Sequence, residues 1–184
     1  VKEIRKTSEI PIVLFGYYNP IFSYGLKKFA KKAKDAGADG VLVVDLPAEE
    51  AGELKEELGK NGLDLIFLLT PTSDAERMKL TAEVATGFIY FISVTGVTGA
   101  RQTVSKNISS YIKKIRCFTS IPVAVGFGVS TPAQAKEVSS YSDGAVVGSA
   151  IINIIASNQK NRETLLKEVG AFVSGIKKGM NSRS

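Results

Sequence analysis

The stretch PVAVGFGVSTPAQAKEVSSYSDGAVVGSA, from Pro122 to Ala150, decides the fold. It contains two short apolar runs, Pro122 to Gly126 and Gly144 to Gly148, each ending in glycine. Between them Thr131 supplies an N-cap side chain and Pro132 a residue suited to the first helical position, so the segment to Ser140 reads as a helix. The order is strand, glycine turn, helix, strand, glycine turn, helix.

The same alternation continues in both directions. Further apolar runs, expected as strands, lie at Pro11 to Gly16, Gly40 to Asp45, Asp64 to Leu69 and Phe88 to Ser93. Amphipathic segments, expected as helices, lie at Tyr24 to Ala36, Ala48 to Asn61, Asp74 to Thr86 and Lys106 to Phe118. A short helix after Ser149, a longer one from Arg162 to Lys178, and the end of a helix at Val1 to Lys6 complete the chain. Asp74 is a good N-cap, and Gly37 and Gly62 follow helix ends. The strand runs are continuously apolar, as in a parallel sheet covered on both faces.

Strand starts recur about every 26 residues, the length of one strand, one helix and two short loops. Six such units fit in 184 residues, whereas a closed (β/α)8 TIM barrel takes about 250. The expectation is therefore one β/α-barrel domain over residues 1–184, N-terminally truncated, holding strands 3 to 8 of eight. The opening at Val1 instead of Met agrees with that count. An open doubly wound sheet would be complete at this length, but no GxGxxG follows the first strand.

Composition removes several chemistries. The chain has no histidine, no tryptophan and a single cysteine, Cys117, which excludes Ser/His/Asp triads, Cys/His pairs, His-containing zinc sites and an internal disulfide. Net charge is +6, yet the basic residues are scattered. Their densest group, Lys27, Lys28, Lys31, Lys32 and Lys34, alternates with Leu26, Phe29, Ala30 and Ala33 at helical spacing and reads as a solvated helix face. Neither nucleic-acid nor membrane binding is expected, no run reaches the ~20 apolar residues of a spanning helix, and the expected location is cytoplasmic.

In both architectures chemistry collects where strands end. Here those positions carry Tyr17, Tyr18 and Asn19; Asp45; Thr70 and Thr72; Ser93 to Gly99; Gly126 to Gly128; and Gly148 with Ser149. Glycines beside two late helix starts allow backbone N–H groups to approach an anion, which points to a phosphorylated small molecule. The loop Ser93 to Ala100 is long and small-residued, as a closing lid would be. Tyr17, Tyr18, Tyr90 and Phe127 are candidates for an aromatic pocket or for packing under that lid. Asp45 is the one carboxylate at a strand terminus, open to reading as a general base or acid, as a cap of the following helix, or as a hold on its loop.

Five strings together resemble the tryptophan synthase alpha subunit family: Pro11-Ile-Val-Leu-Phe-Gly-Tyr-Tyr-Asn-Pro20, Val41-Leu-Val-Val-Asp-Leu-Pro47, Ser93-Val-Thr-Gly-Val-Thr-Gly-Ala100, Val125-Gly-Phe-Gly-Val-Ser130 and Gly148-Ser-Ala150. The resemblance implies a β/α-barrel lyase that cleaves indole-3-glycerol phosphate to indole and glyceraldehyde 3-phosphate without metal or cofactor. It also implies a beta-subunit partner in an alpha2-beta2 complex, which carries pyridoxal phosphate and receives the indole. By position, Gly99, Gly128, Gly148 and Ser149 would bind phosphate, and Phe15, Tyr17, Leu42, Tyr90 and Phe127 would border the indole. Thr98 would belong to the lid, and Asn19 and Pro47 would face the partner.

The family's catalytic glutamate and aspartate would lie before Val1, so no catalytic residue is expected here, and Asp45 matches neither. The chain alone is then expected to be inactive and poorly stable, with two open sheet edges. Two other functions fit the residues: another phosphate-binding barrel enzyme acting on a sugar phosphate, and a non-catalytic phosphate-binding partner module.

Overall fold

A computed structural model describes residues 1–93 and 101–182. Six strands, β1 (Val13–Gly16), β2 (Gly40–Val43), β3 (Asp64–Leu69), β4 (Ile89–Ile92), β5 (Val123–Gly126) and β6 (Gly144–Ala145), follow sequence order in the sheet. Nine helices accompany them among the described residues: α1 (Lys2–Arg5), α2 (Tyr18–Tyr24), α3 (Leu26–Ala36), α4 (Gly52–Lys60), α5 (Ala75–Val84), α6 (Arg101–Arg116), α7 (Pro132–Ser139), α8 (Ser149–Ser157) and α9 (Arg162–Asn181). The chain divides into two compact units, one of residues 1–89 and 115–121, the other of residues 90–114 and those from 122 onward.

In the first unit β1, β2 and β3 pair in parallel, with Phe15 beside Leu42 and Leu42 beside Ile66. Paired residues of parallel neighbours point to the same face, so these three form one apolar row. Leu42 and Ile66 are buried, whereas Phe15, on the strand that pairs only with β2, is 65% exposed. Leu54 and Leu58 of α4 and Ala30 and Ala33 of α3 are buried with them. At the chain start, Arg5 donates to the carbonyls of Gly37, Ser8 and Ile10 and to the Asp39 carboxylate, which also accepts the Ile12 N–H. The entry into β1 is thus tied to the turn before β2.

The lysines of α3 are exposed, as the sequence pattern requires, though Lys28 and Lys32 also sit over the Tyr24 ring, 4.8 and 5.6 Å from its centroid. The expected helix from Tyr24 is in fact two. Gly25, at φ +92°, separates α2 from α3. A 3-10 turn at Ala48–Glu50 likewise precedes α4.

In the second unit β5 and β6 pair through Ala124 with Gly144 and Val125 with Ala145. The Val123 N–H donates to the Asp143 carboxylate at 2.9 Å, and the Asp143 N–H returns to the Val123 carbonyl. Phe91 of β4 stacks on Tyr111 of α6 with centroids 5.6 Å apart. The Thr131 side chain accepts from Gln134 N–H while Gln134 Oε1 accepts from Thr131 N–H, a complete capping box with Pro132 at the first helical position. β6 is two residues long where the sequence suggests five, because Val146 leaves the ladder after one last bond to the Val125 carbonyl.

Candidate functional site

In the first unit the site residues gather at the carboxyl ends of β1 and β2. Phe15 and Leu42 are register partners, so the structure places these two expected pocket residues side by side. Tyr17 is the exposed N-cap of α2 and provides no side-chain cap of its own. Asp45 supplies it instead: its Oδ1 accepts the Tyr18 N–H at 2.7 Å. Asp45 therefore caps the helix of the preceding unit across 27 residues of chain, and not the helix that follows it. The expected cap of the following helix is thus corrected: the carboxylate has a capping role, but for α2. Asn19 is exposed in α2, and Pro47 introduces the 3-10 turn on the neighbouring loop.

In the second unit the residues belong to β4, β5, β6 and the helix starts that follow. Gly126, buried at the end of β5, lies directly against Tyr90: a Cβ built on it would stand 2.5 Å from the Tyr90 hydroxyl and 2.8 Å from its ring. Glycine here admits an aromatic ring onto bare backbone. Tyr90 is half-buried, and that burial raises its pKa above the ordinary value of 10.0. Phe127, next to Gly126 in sequence, is half-buried, and Gly128 turns the chain at φ +86° with nothing within 4 Å of its Cβ position. A left-handed glycine with open space before it is what backbone approach to a ligand requires.

The helix starts after β5 and β6 differ in a way that bears on anion binding. At α7 the backbone N–H groups of Ser130 and Thr131 both donate to Gln134 Oε1 and that of Gln134 to the Thr131 hydroxyl, so most donors at that end are already engaged. At α8 the N-cap is Gly148, which offers no side chain. The N–H groups of Ile151 and Ile152 turn back to the Gly148 carbonyl, and those of Ser149 and Ala150 meet no acceptor among the described residues. Gly148 and Ser149 are exposed and a Cβ on Gly148 would meet nothing within 4 Å. Free donors, a hydroxyl and the positive end of a helix dipole converge there. Sequence reading treats the two glycine turns alike; the Gln134 side chain distinguishes them.

Gly99 and Thr98 lie outside the described residues. Among the described residues no three His, Cys, Asp or Glu side chains are grouped to hold a metal ion, and no helix is long and apolar enough to cross a membrane.

The family model described as tryptophan synthase alpha chain matches residues 1–181. A tryptophan synthase alpha chain from Geotalea daltonii is 51% identical over 180 residues, covering 98% of this chain and 67% of that protein. Among solved structures, tryptophan synthase subunit alpha from Legionella pneumophila is 35% identical with a TM-score of 0.86, covering 98% of this chain and 66% of that one. A chain from the tryptophan synthase α2β2 complex of Pyrococcus furiosus is 37% identical with a TM-score of 0.86, covering 96% and 71%. The parallel strand-helix units are those of the β/α-barrel relatives, and the chain spans about two thirds of their length.

Proposed function

From the premise that this chain belongs to the tryptophan synthase alpha chain family, we propose that it contributes the phosphate end and one apolar wall of a site that splits indole-3-glycerol phosphate into indole and glyceraldehyde 3-phosphate. The observation that carries this reading is the uncapped start of α8 at Gly148 and Ser149, the two N–H donors there being without an acceptor among the described residues. The ester phosphate sits on the N–H groups of Ser149 and Ala150 and the Ser149 hydroxyl, with the open turn at Gly128 giving it a second approach. The family resemblance adds Gly99 to the phosphate contacts and Thr98 to the lid, both outside the described residues.

The family resemblance gives the indole two sets of apolar neighbours, Phe15, Tyr17 and Leu42 from the first unit and Tyr90 and Phe127 from the second. Cleavage breaks the bond between indole C3 and the glycerol phosphate carbon; a base removes the proton of the adjacent hydroxyl as that carbon becomes an aldehyde, and an acid returns a proton to C3. This retro-aldol step needs no metal or cofactor. Asp45 matches neither of the family's catalytic carboxylates and serves instead to cap α2 through Oδ1. The family's catalytic acid and base are carboxylates that no residue of this chain matches, and the released indole passes to a beta subunit that holds pyridoxal phosphate and meets Asn19 and Pro47. The reaction is placed in the cytoplasm.

The test is indole release by the full-length protein carrying Gly128→Asp. A carboxylate in the open turn repels the phosphate, so kcat/KM falls by at least about a hundredfold, mostly through KM. Unchanged kcat/KM with normal folding refutes the phosphate assignment. Preference for a plain sugar phosphate over the indole ester refutes the aromatic wall.

A further inference from the structure

A second recess lies wholly within the first unit, at the carboxyl ends of β2 and β3. It encloses about 450 Å³, within the range of small-molecule sites. Leu46 and Phe67, both buried, give it an apolar wall, and Thr72 adds a hydroxyl at its rim. Its charged groups are one of each sign, Arg77 and Asp45.

Two features mark it as more than a packing gap. Arg77 and Thr81 both line it from α5, four residues apart and so on one helix face. Thr81 is 2% exposed as a residue, yet its hydroxyl, which no protein group pairs among the described residues, is not among the fully buried atoms and so opens toward the recess it lines. Such a hydroxyl is free to donate to or accept from an occupant. The Arg77 guanidinium likewise has no ion pair there; only its backbone N–H is engaged, with the Asp74 cap. On the other side Asp45 uses Oδ1 for the Tyr18 N–H, which leaves Oδ2 as an acceptor.

A planar anion suits a guanidinium with a hydroxyl one turn away, a cation suits the remaining carboxylate oxygen, and an apolar body suits Leu46 and Phe67. We propose that this recess binds a free α-amino acid with an apolar side chain, its carboxylate on Arg77 and Thr81 and its ammonium on Asp45. The site shares no residue with the phosphate turns and stands whether or not indole-3-glycerol phosphate is the substrate. Pro47 also lines it, so an occupant lies beneath the loop placed toward the partner.

The test is calorimetric titration of the full-length protein with L-phenylalanine, L-phenylalaninamide and 3-phenylpropionate, which keep the body and remove one charge at a time. Saturable binding of L-phenylalanine is expected, with both analogues weaker by about tenfold or more because each leaves a site group unpaired. Arg77→Gln, a change at an exposed position, and the near-isosteric Thr81→Val each weaken phenylalanine at least about fivefold with circular dichroism unchanged. Absence of saturable binding into the millimolar range means the recess holds water only and overturns the proposal. Amide or deaminated acid binding as well as the amino acid, or an Arg77→Gln protein that binds normally, overturns it equally.

Discussion

Adding one methyl group at Gly126 tests the contact on which the aromatic wall depends. The new Cβ would lie 2.5, 2.8 and 3.1 Å from Tyr90 Oη, Cε2 and Cζ. Ordinary carbon contacts are about 3.5–4.0 Å, so the ring must withdraw by roughly 1 Å along its face. Gly126 is buried in β5 and cannot give way, so Gly126→Ala costs about 1–3 kcal/mol. Tyr90→Ala alone costs about 2 kcal/mol, less than a fully buried aromatic because the ring is half-exposed. With the ring gone, the extra methyl costs under about 0.5 kcal/mol, so the two changes are non-additive by about 1–2.5 kcal/mol, the double variant being more stable than the sum predicts. Tyr90→Phe relieves only the hydroxyl contact and rescues Gly126→Ala in part. Urea denaturation of the single and double variants measures each quantity. Additive losses would mean that Tyr90 does not rest on Gly126, and would remove the reason for glycine at that position.

Other consequences are independent of that pair. Gly170→Ala, at an exposed site in α9 with open space for a Cβ, should stabilise by about 0.5–1 kcal/mol, whereas Gly179→Ala, whose Cβ would collide with the Pro132 carbonyl, should destabilise by about 1–3 kcal/mol; thermal melts of the pair check the sign. Tyr90 should titrate above 10.0, seen as a late component in ultraviolet absorbance of wild type minus Tyr90→Phe. Because folding raises that pKa, the native state holds the proton longer than the unfolded one. The contribution is fully present below pH 10 and is lost as pH climbs through the folded value; a normal titration would refute the burial. Asp45→Ala removes the acceptor of the Tyr18 N–H and should cost about 1 kcal/mol with loss of amide-exchange protection at Tyr18, while leaving protection in α4 unchanged.

Much of the fold is legible in the sequence because its signals are local. Thr131 with Pro132, Asp74, Gly37 and Gly62 each mark a boundary within a residue or two of where it falls. What escapes the sequence is non-local. The helix α2 carries Pro20 in its first turn and no cap at Tyr17, so it reads as a loop; the missing acceptor arrives from Asp45, on the next strand's loop. The two glycine turns look equivalent until Gln134 is seen to occupy the donors of one of them. The pairing of Phe15 with Leu42 follows from parallel register, which no spacing along the chain reveals. The Arg77 and Thr81 recess is likewise silent in sequence, since an arginine and a threonine on an amphipathic helix are ordinary until a cavity opens before them.

The most direct measurement is titration of the full-length protein with glycerol 3-phosphate, followed by the amide signals of Gly128, Ser149 and Ala150 in nitrogen-proton correlation spectra. The account predicts saturable shifts at those amides, with the Ser130 and Thr131 amides, already bonded to Gln134, moving little, and abolition of the shifts by Gly128→Asp. Saturable binding that leaves Ser149 and Ala150 unmoved would place the phosphate elsewhere and contradict it.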